Sequence, residues 1–331
     1  MDEIKISVCI PVFKVEKYIE RCARSLFEQT IDDGIEFIFV DDCSPDGSIE
    51  VLKRVLAEYP RRKAQVRIIR HERNRGLIAA RHAAIGAANG EYIIHCDSDD
   101  AVDVSLYAAM LSLAVSKQLD VVVAPIKMVW PSGRQVVYES DADSVEAYFR
   151  NEYAHNGFNA MYNKLIRRSV YERTVIDIGN CRFLGEDLLQ MTQLLLSCAS
   201  IGFVHGTYYA YYRSEDSGTI RNEDSKNAVL QLLEVERVLA PKLLKKYPLA
   251  LTYFRHVCCI SVLRSRAFTA NEFRMLWPEA RTIAALRSDW RLAGYKKFLI
   301  LLCDKSYRVG MVVVGILLCL QRMYRRIREG R

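Results

Sequence analysis

The segment EYIIHCDSDD, residues 91–100, runs a strand-like apolar stretch into three aspartates, Asp97, Asp99 and Asp100. Carboxylates this close repel one another, so the arrangement asks for a positive partner. A hard divalent cation with oxygen ligands, Mg2+ or Mn2+, meets that need and would hold a diphosphate at the same time. Asp97 and Asp99 form a D-x-D pair, and Asp99 is the first choice for a direct metal ligand. The motif is short, and acids between a strand and a helix also serve as N-caps; Asp100 and Asp103 are candidates for that role. A second acidic pair, Asp41 and Asp42, closes the run EFIFVDD ahead of Asp46-Gly47-Ser48, which is turn chemistry leading into a helix. Capping accounts less well for Asp41 and Asp42, where a carboxylate suits the N–H of a base or the hydroxyls of a ribose. In ERNRGLIAARHAAIGAANGEY, Gly76 permits close backbone approach and the alanines permit tight helix–sheet packing. Arg75 and Arg81 are candidates for neutralising phosphate, although by itself the segment reads as an ordinary packed helix.

These residues need a scaffold that brings strand ends together. Strand signals at 6–13, 36–40, 66–70, 91–96 and 120–125 alternate with helical patterns at 15–28, 48–59, 77–89 and 103–118. The strands are short continuous apolar runs, as expected when helices cover both faces. The alternation predicts an α/β fold, Rossmann-like, with a mostly parallel central sheet and right-handed crossovers. Such sheets bind ligands beyond the carboxyl ends of their strands, where both acidic groups fall. From 126 to 225 the pattern loosens: WPSGRQVVYES reads as a hairpin, CRFLGEDLLQMTQLLLSC as a loop entering an apolar helix, and TYYAYY precedes a polar loop. After residue 225 only helical patterns remain.

The chain has 331 residues, half of them hydrophobic, with 47 basic against 40 acidic positions and a formal net charge of +7. A balance this mixed does not demand nucleic acid, and an acidic cleft fits it poorly. The tail QRMYRRIREGR holds five Arg and one Glu, which favours anionic surfaces. Ten cysteines occur without C-x-x-C spacing. Cys9, Cys96, Cys198 and Cys319 lie among apolar neighbours and read as small core residues, and the set implies reduced thiols in a cytoplasmic setting. The start MDEIKISVCIPVF lacks a signal-peptide pattern. The apolar run Val309 to Leu320 is shorter than the roughly 20 residues a spanning helix needs. Joining it to residues 298–303 would bury Asp304, Lys305 and Arg308 in lipid, so a full span is rejected. A membrane-surface helix and a helix packed on the preceding domain both remain open.

The first 100 residues resemble glycosyltransferase family 2, the inverting nucleotide-sugar-dependent group with the A-type glycosyltransferase fold. The matching elements stand in family order: SVCIPVFKVEKYIERCARSLFEQT, FIFVDDCSPDGS, ERNRGLIAARHAAIGAANGEYIIHCDSDD, then FLGEDLL and YYRSEDSGTI. Together they touch most of residues 5–220 and leave 226–331 outside. The resemblance implies that Pro11, Phe13 and Glu16 lie by base and ribose and that Asp41 contacts the uracil or its equivalent. Asn74, Arg81 and Asp97 would stand on the nucleotide side, with Asp97 and Asp99 as the D-x-D pair and Asp99 on Mn2+ or Mg2+. Asp187 would be the general base with Glu186 beside it, and Arg213 with Ser217 to Thr219 would close over diphosphate or acceptor. Lys14 and His82 depart from the family's usual Asn, and Glu215 and Asp216 stand where relatives carry a basic residue.

The implied organisation is a catalytic domain over 1–225, with a nucleotide-binding half (1–125) and an acceptor half (126–225), then a helical C-terminal region over 226–331. The implied function is transfer of a sugar from a nucleotide-diphosphate donor, a UDP-sugar, to a hydroxyl of a glycan or lipid-linked acceptor in bacterial surface polysaccharide assembly. The setting would be cytoplasmic, with peripheral contact to the inner membrane through the C-terminal helices and no nucleic acid partner. Two alternatives stay open: a non-catalytic nucleotide-sugar-binding protein of the same fold, and a metal-dependent D-x-D phosphatase.

Overall fold

The runs ISVCIPV and IEFIFVD are buried along their whole length, which requires cover on both faces. They form β1 (Ile6–Val12) and β2 (Ile35–Asp41), parallel neighbours with Val12 opposite Asp41. β3 (Val66–Arg70) adds in parallel to β2, and β4 (Tyr92–His95) in parallel to β1 with Cys9 opposite His95. The chain continues through β5 (Ala101–Val102), β6 (Val121–Val123), β7 (Ile126–Val129), β8 (Gln135–Tyr138), β9 (Lys164–Arg167), β10 (Ile201–Phe203) and β11 (Tyr209–Tyr212). The structure, a computed structural model, describes residues 3–153, 158–180, 185–213 and 226–328.

Seven strands make one sheet in the order β10-β6-β9-β4-β1-β2-β3, and β5-β11-β7-β8 make a second. In the larger sheet only β9 runs antiparallel, to both β4 and β6. The mostly parallel α/β sheet read from the sequence is therefore present, and β9 and β10 are additions from the stretch whose pattern was loose. The hairpin at WPSGR joins β7 to β8, closed by the Trp130 N–H on the Arg134 carbonyl at 2.9 Å.

Alternation along the strands sorts side chains to two faces. Val8, Ile10, Phe37, Phe39 and Ile94 meet Cys22, Leu26 and Phe27 of helix Ile19–Phe27 and Met110 of helix Leu106–Ser116. Cys9, Ile38, Val40 and Ile93 meet Ala80 and Ala84 of helix Leu77–Ala87, where small side chains let the helix sit close. Among the cysteines, Cys9, Cys96 and Cys198 are buried as expected, whereas Cys319 is exposed on the outer side of the last helix. Its apolar sequence neighbours had suggested a core position. They point around the helix to different surroundings.

Contacts divide the chain into two compact units, Met1–Ile176 with Gln190–Asp216, and Asp177–Leu189 with Ser217–Arg331. In the second, helices Lys226–Lys246, Pro248–Ser265, Gly294–Lys305 and Tyr307–Arg328 surround a core that includes Val229, Cys259, Val262, Phe273, Ile300, Cys303 and Val314. The segment 177–189 belongs with these helices. The Asn180 N–H donates to Glu234 at 3.0 Å, and a Cβ at Gly185 would lie 2.6 Å from Val235 Cγ2. Hydrogen bonds from Arg237 and then from the Asn180 backbone hold the Glu234 carboxyl down at about 2. Among the described residues, no helix is long and apolar enough to cross a membrane.

One carboxylate sets the loop between β3 and the next helix. Buried Asp42 takes the Arg75 and Gly76 N–H groups, each at 2.8 Å, and the His71 Nδ1 at 2.7 Å. Gly76 has φ +86°, a left-handed conformation that suits glycine, and it opens helix Leu77–Ala87. Asp42→Ala strands these buried donors. Urea unfolding of that variant should show a loss of about 2–4 kcal/mol, while an exposed substitution such as Arg73→Ala stays within about 0.5 kcal/mol.

Candidate active site

Because β1 lies between β2 and β4, Asp41 and Asp97 leave the same edge of the sheet on either side of it. Two strand spacings put their backbones roughly 10 Å apart. Asp41 is buried, accepts the Ser44 N–H at 2.8 Å, and has Arg70 Nε 3.3 Å from its other oxygen. Loops 13–16 and 43–48 are knitted together beside it. The Lys14 N–H donates to Ser44 Oγ at 2.8 Å, the Glu16 N–H to Asp46 at 3.1 Å, and the Glu16 carboxylate takes the Gly47 N–H at 3.1 Å. Burial alone would raise Asp46. Hydrogen bonds from the Ser44 and Ser48 hydroxyls and from backbone N–H groups outweigh it and hold the carboxyl at about 2.

The DSDD turn treats its acids differently. Asp97 meets the guanidinium of fully buried Arg81 at 3.1 Å. Asp100 is buried and accepts from the Tyr209 hydroxyl and the Tyr212 N–H, each at 2.8 Å. Burial, then Asp99 and Asp97, push it well above the ordinary carboxylate range. Neither Asp100 nor Asp103 is the N-cap of helix Leu106–Ser116, which is Ser105; Asp103 accepts from the Ser105 N–H at 3.0 Å and the Ser105 hydroxyl at 2.8 Å. Asp99 is raised to about 6, first by burial and then by Asp97. His95 just before the cluster stays neutral, because burial pushes its imidazole down to about 3.

Asp99 lines a cavity of about 200 Å³ together with Tyr18, Arg21, Val129, Trp130, Pro131, Tyr212 and Arg213. The Arg21 guanidinium donates to the Asp99 carbonyl oxygen and stacks 3.6 Å from the centroid of Tyr212. Arg213 is tied down by its N–H on the Val129 carbonyl at 2.9 Å and lies 6.0 Å from the Trp130 ring. Two cations, several aromatic faces and one carboxylate suit a polar ligand that carries both hydroxyls and negative charge.

In the first unit, then, the edge of the sheet gathers Asp41, Arg81, Asp97 and Asp99, with Pro11 buried in β1 and Phe13 exposed just beyond it. Asn74 is exposed on the loop that Asp42 holds. Glu186 and Asp187 open helix Glu186–Leu196 at the end of the segment seated on the second unit's helices. Ser217 and Thr219 lie outside the described residues, as do Glu215 and Asp216. Sequence reading did not single out Arg21, Tyr18, Trp130, Tyr209 or Tyr212. Tyr209 and Tyr211 alternate along β11 to stack on Tyr162 at 4.3 and 5.8 Å, so TYYAYY carried a strand signal but no hint of its partner.

No group of three His, Cys, Asp or Glu side chains able to hold a metal ion occurs among the described residues. Asp99 still fits a divalent cation. It is a partly buried carboxylate beside a second one, destabilised in its charged form, at a cavity mouth. Mg2+ and Mn2+ sites of this kind take one or two carboxylates and complete their shell with ligand phosphates and water.

The sequence profile described as Glycosyl transferase family 2 matches residues 7–184. The chain is 40% identical over 117 residues to a Bacillus subtilis (strain 168) protein described as uncharacterized glycosyltransferase EpsJ, an overlap of 35% of this chain and 32% of that one. The chain therefore spans about a third of that relative's length. Staphylococcus aureus TarS residues 1–349, in complex with UDP, superposes with a TM-score of 0.63 at 18% identity, over 99% of this chain and 92% of that one. The mannosyltransferase PcManGT from Pyrobaculum calidifontis, in complex with GDP-Man and Mn2+, gives a TM-score of 0.56 at 14% identity, over 94% and 87% of the two chains. At these identities the likeness establishes the fold, the A-type glycosyltransferase fold.

The raised Asp99 has a thermodynamic consequence. The native carboxyl binds its proton more tightly than the unfolded chain does, so stability falls as pH rises from about 4 to about 6 and stays lower above that. In metal-free buffer, Asp99→Asn should raise thermal stability at pH 7.5 by about 1–3 kcal/mol, with the gain vanishing near pH 4.

Proposed function

The chain belongs to glycosyltransferase family 2, and from that premise we propose that it transfers a sugar from a UDP-sugar to a hydroxyl of a glycan or lipid-linked acceptor, with inversion at the anomeric carbon. The observation that carries this reading is the convergence of Asp41, Asp97 and Asp99 on one edge of the sheet, flanking β1. Asp41 accepts the N–H of the uracil ring, and the loops tied by Glu16 and Asp46 shape the floor beneath base and ribose. Arg81 orients Asp97 on the nucleotide side through the 3.1 Å contact of its guanidinium. Asp99 would hold Mn2+ or Mg2+, which when bound would supply Lewis-acid neutralisation of the diphosphate. The cavity of Arg21, Trp130, Tyr212 and Arg213 takes the sugar or the approaching acceptor.

Asp187 is the general base. It removes the proton from the acceptor hydroxyl as that oxygen bonds to the anomeric carbon, while the bond from that carbon to the diphosphate oxygen breaks on the opposite face. One displacement inverts the centre, the electron pair leaves with the nucleoside diphosphate, and no sugar–enzyme bond forms. Asp187 stands with Glu186 on the first turn of helix Glu186–Leu196. Gly179, Asn180 and Gly185 pack on helix Lys226–Lys246, which gives the helical unit a part in holding the base. A bacterial envelope polymer or its lipid-linked precursor suits the basic C-terminal end as acceptor.

Asp187→Asn should lower kcat by about 10²–10⁴-fold, with UDP affinity within about threefold of wild type. Wild-type turnover in that variant removes Asp187 from the role. Calorimetry should show that Mn2+ strengthens UDP binding to the wild type and not to Asp99→Ala. Tight UDP binding with neither transfer nor slow donor hydrolysis, across a panel of UDP-sugars, would instead favour the non-catalytic binding protein.

A further inference from the structure

The last two helices carry a feature the transfer reaction does not use. On helix Tyr307–Arg328, Val309, Val312, Ile316, Leu320 and Met323 are each more than half exposed. Their spacing of three, four, four and three residues keeps them on one stripe of the helix. The residues that face the core are different ones: Val314 is buried, and Met311, Leu317 and Leu318 pack against the same cluster. On the preceding segment, Trp290 and Phe298 are also more than half exposed. The stripe is thus a second apolar face on a helix that has already buried one.

Charge says what covers it. Residues 294–331 contain nine Lys or Arg and two Asp or Glu. Subtracting these from the chain totals of 47 basic and 40 acidic leaves 38 of each. The whole formal excess of +7 therefore sits on the segment that carries the stripe. Self-association through the stripe would bring two such segments together against their mutual repulsion. Among the described residues, no helix is long and apolar enough to cross a membrane. An apolar stripe, exposed aromatic rings and concentrated Arg and Lys together match the requirements of a helix lying in the plane of an anionic bilayer surface.

We propose that helix Tyr307–Arg328 lies on an anionic phospholipid surface, with Val309, Val312, Ile316, Leu320 and Met323 entering the apolar layer and basic residues of the segment 294–331 meeting the headgroups. The inference stands whether or not the transfer reaction is the one described above. Attraction to headgroups brings the chain to the surface, and insertion of the stripe retains it there. Both contributions are needed, so each has its own variant.

The test is co-sedimentation of the full chain with vesicles of mixed phosphatidylglycerol and phosphatidylcholine, beside vesicles of phosphatidylcholine alone. Wild type should bind the anionic vesicles at least about tenfold more strongly, with the preference falling as salt is raised. Val312→Asp with Ile316→Asp should lower binding about tenfold or more. Arg325→Glu with Arg326→Glu should do the same, and serves as the independent arm should the first pair fail to fold. Circular dichroism and UDP binding should match wild type in both. Equal binding to the two vesicle types, or both variants binding as wild type does, overturns the proposal. So does a concentration-dependent dimer that the aspartate pair abolishes while vesicle binding is unchanged.

Discussion

Asp97, Asp99 and Asp100 repel one another in a turn with little access to water, and the first unit is organised around that repulsion. Each acid is answered by a different device. Asp97 has a buried guanidinium, Arg81. Asp100 has a tyrosine hydroxyl and a backbone N–H from β11, and its charge is suppressed by burial. Asp99 has its own backbone N–H and the charge of Arg21, which burial and Asp97 outweigh, so its ionised form is disfavoured. The turn settles two carboxylates and leaves the third raised where it lines a cavity.

The second sheet meets the acidic turn directly. β11 pairs with β5, which directly follows the DSDD turn, and supplies both bonds to Asp100. Tyr209 also accepts the Asp97 N–H at 3.1 Å, so one hydroxyl ties two residues of the turn. Tyr212 in turn carries Arg21, whose guanidinium reaches the Asp99 carbonyl. The tyrosine strand fixes the acids from one side while helix Leu77–Ala87 delivers Arg81 from the other. On the opposite flank of β1, Asp42 ties down the loop leading into that same helix. The two acidic groups are therefore coupled through one helix and the two loops that hold it.

Much of this was legible before the coordinates. The four leading strands are apolar runs bounded by turn residues, and the period of the pattern changes cleanly at each helix. The D-x-D and the VDD could be placed on one edge from topology alone. What stayed hidden depends on partners distant in sequence. β9 is four residues long and becomes a strand only by pairing with both β4 and β6, so local propensity says little about it. The roles of Tyr209 and Arg21 arise from pairing and stacking across roughly 80–110 positions, which no spacing rule encodes. Asp42 looked equivalent to Asp41. The difference between Asp41, held by Ser44 and Arg70, and Asp42, spent on the Arg75 and Gly76 N–H groups, lies in which way the chain turns after β2. The assignment of 177–189 to the helical unit is likewise a packing fact, written in two glycines that leave no room for a Cβ.

The proposed transfer requires the carboxylates at the ends of β2 and β4 to serve one nucleotide diphosphate and its cation. This is tested most directly by a crystal of the chain grown with UDP and Mn2+, with diffraction recorded at the manganese absorption edge. An anomalous peak is expected beside the Asp99 carboxylate and the diphosphate, with the uracil N–H on Asp41. UDP bound away from this edge, or manganese held by residues other than Asp99, would contradict it.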